Sequence, residues 1–125
     1  MMTGLALGLF PQAGTAWAAA PSFAPHVDYP TGDRPSSVAV GDLDGDGDLD
    51  LAIANTNALT VSVLLRNGDG TFAPQVSYPT ADRPYSVAVG DLNGDGDLDL
   101  AIANTNALTV SVLLRNGDGT FAPQV

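Results

Sequence analysis

The sequence predicts an all-β fold built from repeated four-stranded units, and three observations carry that prediction. First, Phe23, Phe72 and Phe121 open one recurring phrase, "FAPHVDYP", "FAPQVSYP" and "FAPQV", at a fixed offset (72 − 23 = 49; 121 − 72 = 49). A period of about 50 residues is the mark of solenoids, propellers or arrays. Second, short apolar or alternating runs recur between turn signals, with 14 Gly and 9 Pro in 125 residues and no sustained helical period. Third, "LAIAN" (51–55) offers no charged face: Leu51 and Ile53 point one way, Ala52 and Ala54 the other. A sheet with one wet face would alternate apolar with charged, so these strands are covered on both sides. Four-stranded sheets packed face to face around an axis are propeller blades. Two near-identical blades are therefore expected, incomplete on their own, because closure takes about 4–8.

The elements follow in chain order. Residues 1–18 read as a secretory signal peptide: an apolar run from Gly4 to Phe10, then small residues with Ala16-Trp17-Ala18 as the small-x-small cleavage pattern. That run is too short to cross a bilayer, which takes about 20 residues, and no other segment is long and apolar enough. Repeat 1 spans 23–71, repeat 2 spans 72–120, and 121–125 starts a third. Phe23–Thr71 laid over Phe72–Thr120 differs at five positions: His26/Gln75, Asp28/Ser77, Gly32/Ala81, Ser36/Tyr85 and Asp44/Asn93.

Within a unit, "SVAVGDL" (37–43), "LDLAIANTN" (49–57), "LTVSVLLRN" (59–67) and "GTFAPQVSYP" (70–79) are four strands. Pro74 confines the last to a sheet edge. "TNA" (56–58) and "NGDG" (67–70) are tight turns, the second a hairpin signal. "FAPHVDYP" (23–30) has the sequence of a fourth strand and would complete a blade preceding the first.

Charge is focused rather than spread. The chain has 14 acids, all Asp, against Arg34, Arg66, Arg83 and Arg115, for a formal net charge of −10. Nine of the aspartates fall within 42–50 and 91–99. With so few basic residues, nucleic acid is excluded as a partner. The absence of Cys excludes disulfides and thiolate metal sites.

In the first acidic stretch Asp42, Asp44, Asp46 and Asp50 stand at loop positions 1, 3, 5 and 9, with Gly47 at the sharp turn. An EF-hand would need Glu at position 12 and flanking helices; position 12 is Ile53, so this is a shorter loop. The second stretch carries Asp91, Asn93, Asp95 and Asp99, Asn93 keeping an oxygen but losing a charge. All donors are oxygen, which suits a hard cation taking about 6–8 oxygens: Ca²⁺ first, Mg²⁺ second, zinc excluded.

The phrase "SVAVGDLDGDGDLDLAIANTN…TVSVLLRNGDGTF" resembles the FG-GAP/VCBS repeat of integrin α-chain propellers. The resemblance covers about residues 23–125. It implies Ca²⁺ in the loop between the first two strands of a blade. Its ligands would be Asp42, Asp44, Asp46, the Asp48 carbonyl and Asp50, and in the second copy Asp91, Asn93, Asp95, the Asp97 carbonyl and Asp99. The Asp48 and Asp97 side chains would then point outward or bind through water.

Little else suggests chemistry. His26 has no nucleophile and orienter beside it. The aspartate spacing suits ligation better than a glycosidase pair. Arg34 and Arg83, in "DRP", are expected to pair with Asp33 and Asp82 or with a neighbouring blade. Tyr29, Tyr78 and Tyr85 are expected to fill blade seams rather than form a sugar platform.

The function expected is a secreted, non-enzymatic, calcium-binding module for adhesion to a protein or carbohydrate ligand, with structural metal. The alternative is an accessory propeller fragment of a larger extracellular enzyme. An RTX-type β-roll is excluded because its nine-residue repeat is missing. Ring closure would call for self-assembly, a partner or further repeats.

Overall fold

The computed structural model describes residues 22–124, so the expected signal peptide lies outside the described residues. Among them no helix is long and apolar enough to cross a membrane. The described residues form seven strands: β1 (Pro35–Gly41), β2 (Asp50–Asn55), β3 (Thr60–Leu64), β4 (Val76–Pro79), β5 (Pro84–Gly90), β6 (Asp99–Asn104) and β7 (Thr109–Leu113). They make two antiparallel sheets, ordered β1-β2-β3-β4 and β5-β6-β7. Apolar and β-branched residues build the strands. The turns fall on the Gly-, Asp- and Asn-rich segments, as in "NGDG", where the Gly70 N–H donates to the Asn67 carbonyl at 3.1 Å.

The expected all-β fold of two blade-like sheets is present: the first sheet has four strands and the second, among the described residues, three. The fourth strand of the first sheet, Val76–Pro79, comes from the second copy of the repeat. Its counterpart would start at Val125 (76 + 49 = 125), outside the described residues. What the second sheet retains is the start of that path, a bridge from Arg115 to Phe121 that repeats the one from Arg66 to Phe72.

The sheets pack face to face, and their two faces differ. Ala39, Gly41, Ala52, Ala54, Val61 and Val63 share one face of the first sheet, as the β1-β2 and β2-β3 registers require. Val87, Leu100, Ile102 and Leu113 share the opposite face of the second sheet. Those two faces, with Leu43 and Phe121, form the core. Gly41 marks a close approach: a Cβ there would lie 3.0 Å from Leu98 Cδ1 and 3.3 Å from Val89 Cγ2. The seam is also stitched by polar contacts. Ser36 Oγ donates to the Tyr85 carbonyl at 2.6 Å, and Thr56 Oγ1 donates to the Pro84 carbonyl at 2.9 Å.

Ser36 and Tyr85 each occupy the register shift near the start of their strand, so the one bulky exchange between the copies falls on a β-bulge. Tyr29 and Tyr78 meet Phe72 and Phe121 edge-on, with ring centroids 5.3 and 5.5 Å apart. Tyr85 instead is exposed. The reading of Arg34 and Arg83 is corrected: among the described residues neither joins an ion pair. Both turn the chain at positive φ (58° and 57°), and their carbonyls accept the Thr56 and Thr105 N–H groups at 2.9 Å.

Candidate metal centre

The acidic loop links β1 to β2, and its shape comes from carboxylates accepting the loop's own backbone N–H groups. Asp42 accepts from Gly45 (2.7 Å), Asp46 (3.2 Å) and Gly47 (2.9 Å). These bonds, that from Gly47 foremost, hold its carboxyl below the ordinary 3.8. Gly47 sits at φ 90°, where a side chain would be strained. Asp50 is fully buried, and its two oxygens accept the Leu43 and Arg66 N–H groups, each at 2.8 Å. This buried carboxylate fixes the loop to the end of β3. An ionised carboxylate has about four acceptor sites, so Asp50 retains capacity toward a cation.

These constraints bring one carboxylate oxygen each from Asp42, Asp44, Asp46 and Asp50 within 4.8 Å of one another. Asp91, Asp95 and Asp99 converge in the same way in the second sheet, and Asn93 accepts the Asp95 N–H at 3.3 Å in the place of Asp44. The Asp48 and Asp97 carboxylates do not join these groups. They bond Arg66 Nη1 (3.1 Å) and Arg115 Nη1 (2.8 Å).

Asp44 shows the strain of the crowding. Burial, then the Asp46 carboxylate beside it, push its carboxyl up to about 6. A group of convergent oxygens in which one member resists ionisation is suited to a cation that would take the charge. The donor set is all oxygen, so the residues fit a hard divalent ion. Asp91 is held low as Asp42 is, with Gly96 the main donor.

Two residues outside the expected ligand set belong to this architecture. Arg66 and Arg115 each give a backbone N–H to the buried aspartate of their own sheet. Arg115 goes further: its Nη2 donates to the Asp44 carbonyl of the first sheet at 2.7 Å, and its side chain is only 8% exposed. The turn after it also covers the loop, since a Cβ on Gly119 would lie 3.5 Å from Asp44 Cβ. The second sheet thus closes over the first sheet's acidic loop. The only sequence signal for this was the invariant place of Arg in "LLRN", twice, at the end of β3 and β7. His26 is exposed, 3.8 Å from Asp28, away from both clusters.

No curated protein and no solved structure matched the chain. The profile of the FG-GAP-like repeat does match, over residues 8–53, 42–102 and 91–125. Two antiparallel sheets, each with an aspartate loop between its first two strands, agree with propeller blades made from such repeats. With almost the whole sequence under that profile, the chain belongs to the FG-GAP-like repeat family.

Proposed function

We propose that the chain is a secreted, calcium-binding, non-enzymatic propeller module for adhesion to a protein or carbohydrate ligand, in which the metal serves structure. The observation that carries this reading is the convergence of the Asp42, Asp44, Asp46 and Asp50 oxygens within 4.8 Å, with Asp44 driven up to about 6 by burial and the neighbouring carboxylates. Asp42, Asp44, Asp46 and Asp50 would hold the first ion, together with the Asp48 carbonyl. Asp91, Asn93, Asp95 and Asp99 would hold the second with the Asp97 carbonyl. Bound there, calcium would neutralise the loop. The chain's own part is to hold the oxygens in place through the N–H groups of Leu43, Gly45, Gly47 and Arg66. The secreted setting is supported by the signal-like residues 1–18.

Extracellular modules bind calcium with Kd about 10⁻⁴–10⁻³ M. At about 1 mM calcium each site then adds about 0.4–1.4 kcal/mol by mass action. Thermal melts in calcium and in EGTA, with calorimetric titration of Asp46→Ala and Asp95→Ala, test this. Each substitution should abolish one of two binding events and part of the calcium-dependent rise in Tm. Identical melts with and without chelator would refute it.

A further inference from the structure

The two sheets are nearly identical in sequence but not in what covers them. In the first sheet Leu43, Ala54 and Val61 are fully buried against the second. Their counterparts Leu92, Ala103 and Val110 (each 49 residues on) are exposed, Leu92 at 51% and Val110 at 59%. The reverse holds on the other face. Val87 is buried, while its counterpart Val38 is 59% exposed, and Val40 and Leu49 stand open where Val89 and Leu98 fill the seam.

The glycines mark the same asymmetry. A Cβ on Gly41 would meet Val89 and Leu98, whereas one on Gly90 would meet nothing within 4 Å. Gly45 lies under the Arg115 guanidinium, whereas Gly94 has open space. Arg66 stands as Arg115 does, but its side chain is 40% exposed.

Among the described residues β7 has no fourth-strand partner. Val27–Pro30, the counterpart of β4, pairs with no strand. Yet Tyr29 already rests on Phe72 in the edge-on geometry that Tyr78 adopts on Phe121, at 79° in both cases. The segment is therefore held where a fourth strand of a neighbouring sheet would lie.

From these observations we infer that a second copy of this chain docks head to tail, seating Val40 and Leu49 of its first sheet against Gly90, Leu92 and Val110 of the other copy's second sheet. The contact reproduces the seam inside the chain. The Arg66 guanidinium takes the Asn93 carbonyl of the other copy, as Arg115 takes that of Asp44. The register follows from β3 and β4, where Thr60 faces Pro79, Val61 faces Tyr78 and Ser62 faces Ser77. It places Pro30 opposite Thr109, Tyr29 opposite Val110 and Asp28 opposite Ser111. The acceptor's own Ala122–Gln124 occupies the path of Ala73–Gln75, so the incoming strand contributes from Asp28 onward. Tyr85, where the inner seam has Ser36, is the one bulky departure. Unlike patches on the two partners make the interface heterologous, so it propagates to a ring or an open string. The inference stands apart from the metal reading and is tested with calcium held constant.

Sedimentation equilibrium of the full chain at about 1 mM calcium should show mass rising with concentration past the dimer. Val40→Asp blocks one patch and Val110→Asp the other, both at exposed positions outside the inner seam. Each variant alone should stay monomeric, and the two mixed one to one should form a dimer and nothing larger. A wild-type chain monomeric throughout, a single variant that still self-associates, or a mixture that stays monomeric would overturn the inference. Independently of those variants, Pro30→Cys combined with Thr109→Cys, in a chain with no other cysteine, should oxidise to a ladder of disulfide-linked copies. Oxidation that leaves only monomers would overturn the register.

Discussion

Introducing valine at Gly41 and, separately, at Gly90 places the same substitution at matching points of two near-identical repeats. Both glycines lie at the end of a strand opposite an aspartate, Asp50 or Asp99. At Gly41 the new Cβ would fall 3.0 Å from Leu98 Cδ1 and 3.3 Å from Val89 Cγ2, and the γ-methyls would have to share space with both. Overpacking of this kind costs about 1–3 kcal/mol. At Gly90 no atom lies within 4 Å of the new Cβ. There the substitution removes a glycine from a strand, which favours the fold by about 0.5–1 kcal/mol, and adds a good strand former. The gain from removing a strand glycine is common to both sites, so the variants should differ by the overpacking cost, about 1–3 kcal/mol. For a domain of this size each kcal/mol moves Tm by about 4–8 °C. Melts followed by circular dichroism in calcium, at concentrations low enough to keep copies apart, should place Gly41→Val below wild type and Gly90→Val at or above it. Equal losses in the two would show that the sheets do not pack as described. A gain in fold stability at Gly90→Val should accompany weakened self-association, because the same valine fills the socket for Val40 and Leu49.

Three further expectations follow the same asymmetries. Leu43→Ala, at a fully buried site, should cost about 2–5 kcal/mol in urea unfolding, whereas Leu92→Ala, 51% exposed, should cost about 0.5 kcal/mol or less. Arg115→Ala removes a buried guanidinium that bonds both Asp97 and the Asp44 carbonyl and should cost about 1.5–3 kcal/mol, against about 1 kcal/mol or less for the exposed Arg66–Asp48 pair in Arg66→Ala. Asp44 is pushed up to about 6 from 3.8, so the folded chain keeps a proton there that the unfolded chain has released, and stability falls as pH rises through that window. In EGTA at about pH 7, Asp44→Asn should thus raise Tm, while in titrations it should weaken calcium binding at the first loop; a lower Tm in EGTA would contradict the crowding at that loop. Asp42 and Asp91, held low, act in the opposite sense, their contribution being lost as pH falls below 3.8.

Much of the molecule was legible in one repeat. The alternation in "SVAVG", the two-sided apolar character of "LAIAN" and the "NGDG" hairpin place the strands and turns because they depend on local sterics and solvation. The loop aspartates were legible for the same reason, their spacing being set by a turn only a few residues long. What could not be read is what depends on position in the array. Val61 and Val110 have the same neighbours in sequence, yet one is buried and the other open, because burial comes from the next sheet and not from the strand itself. Arg115 shares its "LLRN" phrase with Arg66, so that phrase does not tell which guanidinium reaches a carbonyl 71 residues earlier. Turn chemistry also misled locally. "TNA" marks a tight turn, but the left-handed residue comes just after it: Leu59 takes φ 57° and Leu108 takes φ 56°, a conformation uncommon for either.

Because every unit carries both halves of the same joint, each can stand next to any other. Duplication or loss of one 49-residue block would leave all surviving joints matched. Length can therefore drift under mutation while each remaining blade still folds, and natural variants of this chain should differ in whole blocks rather than in fractions of one.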